Sequence, residues 1–262
     1  MRSDIIRKGP DRAPARSMLR AVGVGDDDFK IPWVGIVNTW TEGMPCNFNL
    51  RDIAADLKEG GKRAGLHTFE FGAPSISDGI SMGTIGMRSS LVSREVIADS
   101  IELIAQGYLY DGMIALGACD KTNPGGMMGV IRADVPSLVL YGGLHGKNLT
   151  VVSMYEAVGQ YTAGKIDGAE LDALERAAIP GAGACGGQYT ANTMAMVMEI
   201  MGFSPVGYNA IPAIAPEKKQ ASYRAMEVLA DAIKNNRTPK SFLTKKSFTN
   251  AIAAVAATGG ST

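Results

Sequence analysis

Cysteine and histidine are scarce in this sequence: 262 residues contain three Cys and two His. Three cysteines in a chain this long make no disulfide framework, and they point to a reducing compartment, the cytoplasm, where thiols stay free for metal or catalysis. Excess charge of either sign is absent, since Lys plus Arg and Asp plus Glu both number 26. That balance argues against nucleic acid or an anionic membrane surface as a partner. Long apolar runs are lacking too. AIAAVAA (251–257) is far too short to span a bilayer, so no membrane is expected. The first residues, MRSDIIRKGPDRAPARS, are charged and carry no apolar core, which excludes a secretory signal. Neither an internal repeat nor a low-complexity tract is present. Glycine (32 residues) and methionine (14) are plentiful instead. Glycine inside helices costs about 1 kcal/mol each, which points to a loop-rich molecule.

Along the chain, apolar runs alternate with amphipathic stretches. PWVGIVN (32–38), HTFEF (67–71), GMIALG (112–117) and PSLVLYGG (136–143) read as strands. The spacing of Leu50, Ile53, Ala54 and Leu57 predicts a helix from Leu50 to about Ala64, with Asn49 as its N-cap. SREVIADSIELIAQG predicts another, capped by Ser93 and ended by Gly107, with Val96, Ile97, Ile101 and Ile104 on its apolar face. SMYE (153–156) and DGAE (167–170) fit capping boxes. A Met-rich helix follows the glycine loop that begins at Gly181, and further helices are expected over Glu217 to Lys234 and about Ser247 to Ala257. This alternation predicts an α/β fold, a layered and mainly parallel sheet with flanking helices. Ligands of such sheets bind at the carboxyl ends of the strands. Cys46, Asp78 and Cys119 each follow a predicted strand, so they should gather along that edge.

All three cysteines lie in glycine- or proline-rich stretches: GMPCNF, GACDKTNPGG and GACGGQYTANT. A structural cysteine usually sits within a strand or helix as a small hydrophobe. Glycine loops instead let backbone approach a bulky inorganic group. Cys46, Cys119 and Cys185 together therefore suggest one shared metal site. Thiolates without a CxxC pair do not resemble a zinc finger, and thiolate ligation with little histidine suits iron–sulfur. Three protein thiolates would leave one iron position open as a Lewis acid. Asp78 and Asp120 are carboxylates in glycine loops, which suits a hard cation such as Mg²⁺, although both also fit simple Asx-turns. Lys121 is either a solvated surface lysine or a residue whose charge is removed, since an ammonium repels metal ions.

The blocks PCN, SDGISMGTIGMRSSLVSREVIADS, GACDKTNPGGMMG and GACGGQYTANTM resemble signatures of the family of dihydroxy-acid, sugar-acid and 6-phosphogluconate dehydratases. The resemblance runs from about Arg2 to Thr262. It implies that Cys46, Cys119 and Cys185 ligate a 2Fe–2S cluster, the thiol at Cys46 distinguishing this type from 4Fe–4S members. It also implies that Asp78, Asp120 and Lys121 ligate Mg²⁺, with Lys121 carboxylated to a carbamate. Only a neutral amine reacts with CO₂, and neutralising at pH 7 a lysine whose ordinary pKa is about 10.4 costs roughly 4.6 kcal/mol. Nearby cations would depress that pKa. The 77–100 block is similar to the dihydroxy-acid branch rather than the sugar-acid one, which remains the alternative within the family.

By that resemblance the activity is a hydro-lyase reaction of branched-chain amino-acid (valine and isoleucine) biosynthesis, turning 2,3-dihydroxy-3-methyl acids into 2-keto acids. Full-length members are about twice as long, and their form is expected to be a homodimer or higher. TGGST resembles the start of a block that continues into an apolar helix. Residues 1–262 are thus expected to be an N-terminal cluster- and Mg-binding domain without its C-terminal partner. The family's base resembles a serine of that second domain, so no catalytic base is assigned here. A non-catalytic iron–sulfur fragment is the rival expectation.

Overall fold

The computed structural model describes residues 1–146 and 149–261. The four predicted strands form as β1 Trp33–Asn38, β2 His67–Gly72, β3 Gly112–Gly117 and β4 Ser137–Tyr141. They pair in the order β2-β1-β3-β4, every pair parallel. Val34, Ile36, Val37, Ile114, Val139 and Leu140 are wholly buried, because strands of a parallel sheet are covered on both faces. Edge strand β2 is only half-buried. No helix among the described residues is long and apolar enough to cross a membrane.

The longer helices are α1 Ala13–Ala21, α2 Leu50–Arg63, α3 Met87–Gly107, α4 Thr122–Ala133, α5 Val151–Thr162, α6 Gly168–Ala178, α7 Thr190–Ile200, α8 Glu217–Lys234 and α9 Lys245–Thr258. The chain steps from β1 outward to β2, then back across β1 to β3 and on to β4. Right-handed crossovers therefore put α2 on one face of the sheet and α3 and α4 on the other. Packing agrees: α3 lies on α4, and α2 lies on α8. The direction of winding reverses between β1 and β3, and a crevice opens at such a reversal, outside the carboxyl ends.

Several local expectations are corrected. Asn49 stands at the N-cap position of α2 as expected, but its side chain does not cap; its amide donates to the carbonyls of Gly142 (2.9 Å) and Ala213 (3.1 Å), tying the helix start to the end of β4. Helix α3 starts at Met87, not at Ser93. Ser90 and Ser93 are buried inside it, and Ser93, which reads as a cap, donates to the Ser90 carbonyl. Val96 is exposed, while Ile97 and Ile101 are fully buried. Helix α5 starts two residues before its predicted box: the Thr150 N–H donates to Ser153 Oγ (3.3 Å), making Ser153 the partner of the cap rather than the cap. The Asp167–Glu170 box forms as expected.

Glycines set how closely α3 and α4 approach. A Cβ at Gly129 would lie 2.6 Å from Ile101 Cβ, closer than atoms can pack. Gly159 in α5 has open space around it. We expect Gly129→Ala to lower the thermal midpoint, because overpacking of about 1–3 kcal/mol outweighs the helix propensity gained. Gly159→Ala should raise it, through roughly 0.5–1 kcal/mol of added stability. Thermal unfolding by circular dichroism checks both.

A second expectation concerns Lys218 on α8. It is buried, donates to the carbonyls of Tyr208 (3.1 Å) and Ile211 (3.4 Å), and stands 4.2 Å from the Tyr208 ring centroid. Burial nonetheless pulls its pKa down to about 7, opposed only weakly by Glu199. The unfolded chain then binds more protons between about pH 7 and the ordinary lysine value, so stability rises with pH across that window. Denaturant titrations at pH 7 and pH 9.5 should show the rise, and Lys218→Met should flatten it.

Candidate metal centre

The crevice between β1 and β3 holds the polar cluster. Cys46 does not lie in a loop; it sits in a helical turn, Pro45–Phe48, with Pro45 at the first position where no N–H is needed. Cys119 lies two residues beyond β3. The N–H groups of Ala118 (3.1 Å) and Cys119 (2.9 Å) both donate to Thr122 Oγ1, which clamps the loop at the start of α4. Cys46 and Cys119 are both buried.

Cys185 arrives by a different route. Residues 179–189 have no helix or strand, and a bridge pairs Ala184 with Leu144 just past β4. The N–H of His145 donates to the Ala184 carbonyl (2.9 Å) and that of Gly183 to the Pro45 carbonyl (2.9 Å), which lays this loop beside the Cys46 turn. Gly183 has φ +128°, and a Cβ there would meet the His145 nitrogen at 2.5 Å, so only glycine fits. The His145 ring is buried against this loop, with neither nitrogen paired among the described residues.

Cys46 pairs with both other thiols. Cys46 acts as donor to Cys119 and Cys185, and with burial this pushes its own pKa far up. Receiving that donation, Cys119 falls below the ordinary thiol value despite burial, and Cys185 comes down to about 7. One proton is thus shared inward while two sulfurs lean toward thiolate, the form that binds metal.

Beside them, Lys121 Nζ donates to Asp78 Oδ2 and Asp120 Oδ2, each at 2.7 Å. Asp78 begins a helical turn, Asp78–Ser81, capped by Ser77, and its other oxygen accepts from Ser90 of α3. Burial would raise the Asp78 pKa, but hydrogen bonds from Lys121 and Ser90 hold it below the ordinary value. Asp120 is raised by burial and by Asp78, against the pull of Lys121. For Lys121, burial works downward, but donation to Asp120 and Asp78 outweighs it and the pKa rises. Both of these neighbours are carboxylates, and they favour the ammonium form.

The thiols and the two carboxylates line a cavity of about 860 Å³ whose mouth is apolar, with Phe48, Ile80, Met82 and Tyr155 exposed around it. All of Cys46, Asp78, Cys119, Asp120 and Cys185 border it. Ser261 also borders it, but its hydroxyl pairs with Thr190 Oγ1 (3.1 Å) and has no acidic or basic partner. The donor set divides by chemistry: soft sulfur on one side, hard oxygen on the other. Two carboxylates already converge on one cationic nitrogen, which suits a cation position. Among the described residues no three Cys, His, Asp or Glu side chains stand in metal-ligand geometry. Tyr141, Asn192 and Thr122 hold the loops, and sequence spacing did not single them out.

Residues 31–262 match the family model described as "Dihydroxy-acid/6-phosphogluconate dehydratase N-terminal". Relatives named dihydroxy-acid dehydratase include one from Thermus thermophilus, 68% identical across 100% of this chain. Another, from Roseiflexus castenholzii, is 53% identical across 99% of it. A third, from Synechocystis, is 50% identical across 100%. In each case the chain spans 48% of the relative's length.

The ion-paired trio makes its own prediction. Lys121→Met leaves two part-buried carboxylates facing each other without a cation, which should cost about 1–3 kcal/mol near pH 7. The deficit should shrink as the pH falls and Asp120, whose pKa is raised, takes up a proton. Unfolding midpoints of both proteins between pH 7 and pH 4.5 test this.

Proposed function

The chain belongs to the dihydroxy-acid/6-phosphogluconate dehydratase family, and on that premise we propose that it forms the metal-binding half of a hydro-lyase site. The substrate is a 2,3-dihydroxy-3-methyl carboxylic acid and the product a 2-keto acid. The observation that carries this reading is the convergence of Cys46, Cys119 and Cys185 with Asp78 and Asp120 in one cavity, with Lys121 bound to both carboxylates beside it.

The thiols would hold a 2Fe–2S cluster, and Asp78, Asp120 and a Lys121 carbamate would hold Mg²⁺. When bound, these groups supply Lewis acidity toward substrate oxygens. The rest is work for the chain's own residues. Ser90 orients Asp78 and keeps it ionised. Thr122 pins the Cys119 loop so that its sulfur and the Asp120 carboxylate face the same cavity. The apolar wall gives the substrate's methyl-bearing carbon a dry neighbour and keeps water from the polar floor. Lys121 must exchange its ammonium partners to become a carbamate, because Asp78 and Asp120 hold it protonated. No residue here is assigned as the base that takes the C2 proton.

Reconstitution with iron, sulfide and Mg²⁺ under CO₂ tests the reading. The chain should bind iron and sulfide with visible absorption, and Cys46→Ser, Cys119→Ser and Cys185→Ser should each lose most of the iron. Keto-acid formation from 2,3-dihydroxy-3-methylbutanoate should run at least about 10²-fold slower than in a full-length relative, the usual contribution of a positioned base. Failure of the wild-type chain to bind iron would overturn the proposal.

A further inference from the structure

Cys46 sits in a helical turn and the Cys119 loop is clamped by Thr122, but Cys185 belongs to a stretch without secondary structure (179–189) and is only half-buried. The bridge at Ala184 fixes the residue before it. The Cys185 carbonyl accepts the Gly187 N–H (2.9 Å), a contact within the same loop. What ties Cys185 to the rest of the fold is the side chain of Asn192, in the first turn of α7. Its Nδ2 donates to the Cys185 carbonyl (2.7 Å) and to the Gly187 carbonyl (2.5 Å), closing the loop around the thiol.

An amide can face either way, and a loop held by it is only as firm as that choice. Here the choice is made by Tyr141, the last residue of β4. Its hydroxyl donates to Asn192 Oδ1 at 2.5 Å, so the oxygen end is occupied and the NH₂ end must face the two carbonyls. Tyr141 is 1% exposed, and its own N–H donates to Asn209 Oδ1 (3.2 Å), so the hydroxyl cannot swing away. The chain of contacts runs from the sheet, through Tyr141 and Asn192, to Cys185, the candidate ligand that follows no strand.

We propose that Tyr141 and Asn192 are positioning residues for the third thiolate: together they hold the Cys185 loop beside Cys46 and Cys119, where the three thiols can share one inorganic group. Neither touches iron or substrate. The proposal rests on the reading of the three cysteines as cluster ligands, and it deepens that reading by saying why the loop-borne ligand holds its place.

The test uses the whole chain with Tyr141→Phe, Asn192→Ala and the double variant. In protein without iron, iodoacetamide labelling followed by peptide mass spectrometry reads each cysteine separately. Loss of a hydrogen bond to a buried group changes an opening equilibrium by roughly tenfold, so Cys185 should label about tenfold faster in either single variant. Cys46 and Cys119 should change little, and they report on folding in the same sample. In reconstituted protein, iron release to a chelator should speed up by a similar factor. The double variant should be no faster than Asn192→Ala alone, because Tyr141 acts through Asn192. Unchanged Cys185 labelling, equal acceleration at all three cysteines, or additive effects in the double variant would each overturn the proposal. If the wild-type chain binds no iron, the cluster reading falls, and the labelling pattern alone decides whether Tyr141 and Asn192 hold the loop.

Discussion

The parallel pairing of β1 with β3 is the constraint on which the rest depends. Val34 stands beside Gly112 and Asn38 beside Leu116, although some 78 residues separate them along the chain. Because the winding reverses there, the loops leaving the two strands diverge to opposite faces and leave a crevice. Cys46 follows one strand and Cys119 the other, so two thiols from distant segments meet without strain. The carboxylates arrive by the same logic, Asp120 beside Cys119 and Asp78 from beyond β2. A different strand order would scatter them.

Electrostatics then sorts what the sheet has collected. Sulfur donors share protons among themselves, with Cys46 supplying the hydrogen and its neighbours leaning toward thiolate. Oxygen donors are organised around the Lys121 ammonium. A partly buried cation between two carboxylates gains more than an exposed pair, because water competes less. The same arrangement makes Lys121 reluctant to lose its proton. Adjacent residues on one short loop thus place a thiol beside a carboxylate–ammonium cluster.

Much of the frame was legible in the sequence. The runs WVGIVN and GMIALG could hardly be anything other than buried strands, and strand edges in parallel sheets predict where ligands go. The errors have a common form. Asn49 and Ser93 carry side chains that suit helix caps, yet neither side chain caps: Asn49 is spent on the distant Gly142 and Ala213, and Ser93, buried inside α3, on the Ser90 carbonyl. Local propensity is overruled when a polar group is buried, because an unpaired buried donor costs more than a missing cap.

By itself, the sequence determined the elements, the loops that carry chemistry and the types of donor in them, since strand runs, glycine stretches and thiol or carboxylate identity are local properties. Only the tertiary structure decided that Cys185, which follows no strand, reaches Cys46, that Ser90 steadies Asp78, and that Tyr141 governs the orientation of Asn192. Those contacts join residues from twelve to well over a hundred positions apart. No local pattern encodes them, because they are set by which apolar faces bury against each other and by which buried polar atoms must then find partners.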